Sequence, residues 1–160
     1  MRRMRVLEAL TQLLMGLWVG AAAGFALSAP KIFAAFGPDR QSAGDLAGDI
    51  IYLLNNVGLL LGVGALLTLL PRLRSGVNKA RLALLLGCLG LALTTWLYIF
   101  PQMERAQPPE PIQTYAETDP ARVEYNRWHT LSGRVYGAAM VLGVGVIVLG
   151  PFAETRGGRR

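Results

Sequence analysis

A single histidine, His129, and a single cysteine, Cys88, occur in the 160 residues, so imidazole or thiolate chemistry has one place each to go. Metal centres generally take three or four donors. His129 with Met103 or Met140 makes at best a soft, copper-type set, and no His-x3-His, Cys-x2-Cys or methionine cluster accompanies it. Bis-histidine haem ligation needs a second histidine from another subunit. The chain has no Ser-His-acid arrangement and no phosphate-cradling glycine loop, so nucleophilic catalysis has no support. We expect no enzyme and no cofactor. Cys88 cannot form an intramolecular disulfide and reads as a small apolar packing residue.

The remaining candidates are neutral polar side chains at helical spacing. Tyr52 shares a face with Asn55 and Asn56 at i+3 and i+4, and Thr94 with Tyr98 at i+4. His129, Ser132, Gly133 and Tyr136 form one stripe that Met140 extends, while Arg134 lies about 140° from His129. Two fates are open to such groups. They hydrogen-bond between helices, at roughly 0.6–2 kcal/mol each, and do nothing else. Alternatively they converge on a small pocket for a solute, a metal or a proton.

The elements that must position them are membrane spans. Hydrophobic residues make up 52% of the chain and charged ones only 16%, which excludes disorder. Residues 10–29, 50–70 and 82–100 carry no charge, and 131–150 carry one, Arg134. As helices these windows are each roughly 30 Å long, and none has a sustained polar face. Pro30, Pro71, Pro101 and Pro151 each follow one window and predict its end. The expected fold is an all-α integral membrane four-helix bundle in a single domain.

Lys and Arg set the orientation. The N-terminus, the loop near 71–81 and the C-terminus hold 10 of the 16 basic residues, while the other side holds 8 of the 10 acids. This splits the net charge of +6 into +8 and −2, and predicts both termini in the cytoplasm, in an inner membrane if the source is bacterial. The basic balance is thus a topology signal and implies no nucleic-acid partner. A cleaved signal peptide is the competing reading of residues 10–29, with Arg2, Arg3 and Arg5 as its basic region. The apolar stretch is long for that, so we expect it to stay. On this topology Tyr52, Asn55, Asn56, Thr94, Tyr98, His129, Ser132 and Tyr136 lie at one depth on the non-cytoplasmic side.

A short outer loop over about 31–49 contains the turn signal Gly37-Pro38-Asp39. The long outer loop joins spans three and four, proline-rich from Pro101 to Pro111, and Asp119-Pro120 predicts a helix start well before the fourth apolar window. Thirteen of the 19 glycines fall within the windows. Gly16, Gly20 and Gly24 form a ladder, and Gly58/Gly62 and Gly133/Gly137 repeat its spacing. We expect these to be the faces on which helices pack, within one chain or between copies.

Leu17-Trp18-Val19-Gly20, Gly24-Phe25 and Ala29-Pro30-x-Ile32-Phe33, then Ala43-Gly44-x3-Gly48, then Trp128-His129-x2-Ser132-Gly133, follow one another in an order that resembles the transmembrane protein 205-like family. The resemblance implies a four-span bundle with Pro30, Phe33, His129 and Ser132 as candidate positions, and a link to drug and metal tolerance, but no agreed activity. Family members often have Asn after the His-x2-Ser element, where this chain has Gly133-Arg134. The first functional reading is a non-enzymatic accessory or scaffold protein in the lipid bilayer, as a homo-oligomer or beside another membrane subunit. The second is small-solute or metal binding or transport through the outward pocket. The third is a haem- or copper-binding redox protein.

Overall fold

A computed structural model describes residues 2–155, so the basic residues Arg156, Arg159 and Arg160 lie outside the described part. Four rods form the architecture: α1 (Arg2–Phe36), α2 (Arg40–Leu69), α3 (Gly76–Ala106) and α4 (Pro120–Val148), followed by the short α5 (Gly150–Thr155). All four rods are long and apolar enough to cross a membrane. No strand occurs among the described residues. With no water to satisfy backbone groups in hydrocarbon, each span must close its hydrogen bonds internally. α1 packs along α2 and α3 along α4, with α2–α3 and α1–α4 contacts closing the ring. The core runs down the centre through Met15, Trp18, Ala65, Leu69, Leu85, Cys88, Leu89, Ala92, Ala139 and Val146.

The helices outrun their apolar windows, and two of the four prolines do not end them. Pro30 lies inside α1, which continues to Phe36. In a span, continuing the helix leaves one carbonyl unpaired, whereas stopping would leave several. Pro101 also lies inside a rod, and there the backbone makes room for it. Thr95–Ile99 form a π-turn in which the Phe100 N–H reaches back five residues to the Thr95 carbonyl. That widening relieves the clash between a proline ring and the preceding turn. Pro71 sits in the 3-10 turn Leu70–Arg72, and Pro151 in the first turn of α5, so these two do mark breaks.

The expected outer loop over 31–49 shrinks to a tight turn, because α1 and α2 each extend into it. Gly37 takes φ 57°, a conformation that costs a side chain strain. Asp39 then caps α2, accepting the Ser42 N–H at 3.0 Å. Hydrogen bonding by the Ser42 side chain and backbone holds the Asp39 carboxyl below the usual carboxylate range. A lowered native pKa means the cap stabilises above the unfolded value, near 4, and is lost as pH falls through the lower native one. Protection of the Ser42 amide against hydrogen exchange, taken relative to the intrinsic rate at each pH, should therefore fall in acid, and Asp39→Asn, which caps without ionising, should flatten that dependence. Asp119 caps α4 in the same way, accepting the Ala121 N–H at 2.9 Å with Pro120 in the first turn, as the sequence predicts.

Within the chain, the glycine ladder of α1 and the Gly133/Gly137 pair of α4 do not pack. Cβ atoms at Gly16, Gly20, Gly24, Gly133 and Gly137 would meet nothing within 4 Å. The core face of α1 is set by Thr11, Met15, Trp18 and Ala22, all buried. Gly20 is two residues from Trp18, about 200° around the helix, so the ladder points away from the bundle. Gly58 and Gly62 lie against neighbouring rods: a Cβ on Gly58 would overlap the Trp18 indole, and one on Gly62 would come within 2.6 Å of Leu89. Gly143, outside every predicted motif, plays the same part against Val19, at 2.7 Å.

Candidate functional site

Two polar assemblies stand inside the bundle, one at mid-depth and one at the end that carries the termini. The mid-depth cavity is lined from all four rods, by Trp18 and Ala22 of α1, Asn55 of α2, Cys88 and Thr95 of α3, and Tyr136 and Met140 of α4, among others. Its free volume is only about 10 Å³, room for about one water molecule. The π-turn begins at Thr95, on the cavity wall. Asn55, 2% exposed, donates its amide to the Ala92 carbonyl at 3.3 Å. The Thr95 hydroxyl bonds back to Leu91 at 3.0 Å, and the Cys88 thiol donates to the Ala139 carbonyl at 3.2 Å. The Tyr136 hydroxyl is buried and finds no partner among the described residues.

An unpaired buried hydroxyl costs ~1–3 kcal/mol. Tyr136→Phe should accordingly leave thermal stability unchanged or raise it. A clear drop in melting temperature would mean that a bound water or ligand satisfies the hydroxyl.

Of the residues singled out by spacing, the fold gathers Asn55, Tyr136 and Met140 on this cavity and leaves the others elsewhere. Tyr52 and Tyr98 are exposed, Tyr52 against Phe100 at 5.4 Å between ring centroids and Tyr98 edge-on to Trp128 at 5.7 Å. The Thr94 hydroxyl is spent on the Gly90 carbonyl. Asn56 and Ser132 are half-buried outside the cavity lining, and His129 is exposed, stacked on Tyr125 at 6.1 Å. His129 and Met140 are 11 residues apart on α4, about 16 Å along its axis, too far to ligate one ion within a chain. Met103 is half-buried on α3, near its end at Ala106. No group of three or more His, Cys, Asp or Glu side chains assembles among the described residues.

The second assembly joins residues that no sequence spacing groups. Glu8, whose side chain is 9% exposed, accepts from Arg72 and from Arg81 at 2.8 Å on one oxygen, and from Gln12 at 2.9 Å on the other. Arg81 is fully buried, and its Nε donates to the Val146 carbonyl at 3.0 Å. Gln12 donates to the Ile147 carbonyl at 3.1 Å. Both carbonyls belong to the last turn of α4, where a helix runs out of N–H donors for its carbonyl acceptors and its dipole favours cations. Asn78 completes the set, accepting from Arg81 at 3.2 Å and donating to the Arg72 carbonyl at 2.7 Å. Beside it the Thr11 and Thr68 hydroxyls share a hydrogen bond of 2.8 Å between α1 and α2. One carboxylate thus ties α1 to α3 and to the turn after α2, and Arg81 carries the tie on to α4.

A signal for this cluster was present. Glu8 is one of only two acids on the strongly basic side of the chain, the other being Glu154. Arg81 reads as an ordinary topology charge, because it stands just before an apolar window.

Residues 13–109 match a family model described as a domain of unknown function (DUF4149). The match takes in the body of α1, α2 and α3, and leaves α4 outside it. No curated protein and no solved structure matches the chain.

Proposed function

The chain belongs to the DUF4149 family of unknown function, and we propose that it is a non-enzymatic integral membrane protein that serves as an accessory or scaffold subunit. The observation that carries this reading is the Glu8–Arg72–Arg81 cluster, which spends its charges on joining all four rods. The cavity at mid-depth, with room for about one water, supports the same reading. We place the chain beside the transmembrane protein 205-like proteins by resemblance, on the Trp-x-Gly, Ala-Pro-x-x-Phe and Trp-His-x2-Ser elements. That placement makes drug and metal tolerance the phenotypes to examine on deletion. The excess of basic residues at the termini end supports an orientation with both termini in the cytoplasm.

A mild-detergent extract of native membranes, run on a native gel, tests the assembly. A scaffold should migrate with a second membrane protein, or with further copies of itself, in fixed stoichiometry. Saturable solute uptake by the protein alone in liposomes, lost in Asn55→Ala, would overturn the reading in favour of transport. A Soret band or one copper per chain would overturn it in favour of redox chemistry. Cysteine tagging checks the orientation: residue 110 should label from outside intact cells and residue 76 should not.

A further inference from the structure

We propose that the outward face of α4 formed by Asn126, Arg127, Thr130 and Arg134 binds the phosphodiester of an anionic phospholipid. This goes beyond the accessory reading and does not depend on it. The four side chains are exposed and line one shallow groove with Leu131. Arg134 stands within the candidate span yet makes no ion pair or hydrogen bond with any described residue. A guanidinium in an apolar span is costly, and long basic side chains near a helix end reach for the interface. Helical side chains tilt toward the helix N-terminus, so Arg134 climbs toward Thr130 and Arg127, away from hydrocarbon. Arg127 has Glu124 at 3.8 Å, with both side chains largely exposed, a pair that holds weakly, and it lies over the Trp128 ring at 5.8 Å to the centroid, which leaves its charge unneutralised.

The depth of the groove is marked by aromatic residues. Trp96 and Tyr52, in contact at 3.5 Å between Nε1 and the hydroxyl, and Tyr98 against Trp128 form a belt across α2, α3 and α4. Tyrosine and tryptophan collect at headgroup level. Trp128 adjoins Arg127 in the chain, and Arg134 lies six residues deeper, about 9 Å along the axis, most of which its extended side chain spans. Lipid phosphates occupy that level, and two guanidiniums with flanking hydroxyl and amide donors suit a phosphodiester. Two cations against one acid leave the face positive, so an anionic headgroup such as phosphatidylglycerol is favoured over a zwitterionic one.

Native mass spectrometry of the full chain in detergent, titrated with phosphatidylglycerol, phosphatidylcholine or inorganic phosphate, tests this. Arg127→Gln/Arg134→Gln should weaken phosphatidylglycerol binding by about tenfold or more, as losing one or two charge-assisted hydrogen bonds implies. Arg74→Gln/Lys79→Gln, at the opposite end, should leave this component of binding in place. Arg127→Lys/Arg134→Lys keeps the charge but not the fork and should lie between wild type and the Gln pair. Thermal melts of each variant separate loss of binding from loss of fold. Unchanged affinity in the Gln pair, or in the Lys pair if the Gln pair does not fold, overturns the proposal. Displacement of the lipid by inorganic phosphate at equal concentration also overturns it, in favour of a free-anion site.

Discussion

Replacing Glu8 by alanine should cost the bundle ~3–5 kcal/mol, the typical consequence of removing one partner from a buried ion pair. Glu8 is the sole carboxylate facing Arg72 and Arg81 among the described residues. Without it, Arg81 would remain fully buried with Asn78 and the Val146 carbonyl as its acceptors. One of its nitrogens already has no partner among the described residues. The effect should spread beyond α1, because the same carboxylate holds the turn after α2 and the start of α3. Glu8→Gln, which keeps the shape and one acceptor oxygen, should cost less. A double-mutant cycle of Glu8→Gln with Arg81→Gln, followed by thermal or SDS-induced unfolding in detergent, should give a coupling of ~0.5–3 kcal/mol. Additive single effects would show that the pair contributes no mutual stabilisation.

The second large effect separates two kinds of glycine. At Gly58 an added methyl group would occupy the Trp18 indole, which is itself 6% exposed and packed in the core. A rigid ring in a closed core has little room to retreat, so Gly58→Ala should cost ~1–3 kcal/mol, as overpacking does, and Gly58→Val more. Gly20→Ala should lie within about 0.5 kcal/mol of wild type, as for substitutions in open surroundings, because its Cβ meets nothing within 4 Å. Melting temperatures of the two alanine variants under one detergent condition decide this. Equal losses would mean that the Gly16–Gly20–Gly24 face is covered in the folded protein, and that the packing expected from its spacing holds between chains.

That contrast shows what spacing is able to say. Periodicity establishes that Gly16, Gly20 and Gly24 share a face, but it does not establish what that face meets. In a soluble helix hydropathy marks the buried side; in a span every side is apolar and the mark is erased. The polar residues suffer from the same loss. Asn55 and Asn56 are neighbours of one type, yet one is buried in the core and the other lies outside the cavity. Nothing in their sequence distinguishes them. The proline positions erred differently: Pro30 and Pro101 mark breaks in water, and in a span the demand for closed backbone hydrogen bonds outweighs them, aided at Pro101 by a π-turn.

The amino-acid sequence by itself determined the class of protein: four apolar rods, the turn at Gly37–Asp39, the α4 start at Asp119-Pro120, and the separation of charge between two ends. These depend on residue type and local order, which hydropathy and capping chemistry read directly. Tertiary structure alone decided which faces meet, and therefore which polar groups act together. Glu8, Arg72 and Arg81 are separated by up to 73 residues, and only the packing of the rods brings one carboxylate to two guanidiniums. Contact between distant residues depends on the rotation of each helix about its axis, and a uniformly apolar span leaves that rotation to be settled by packing.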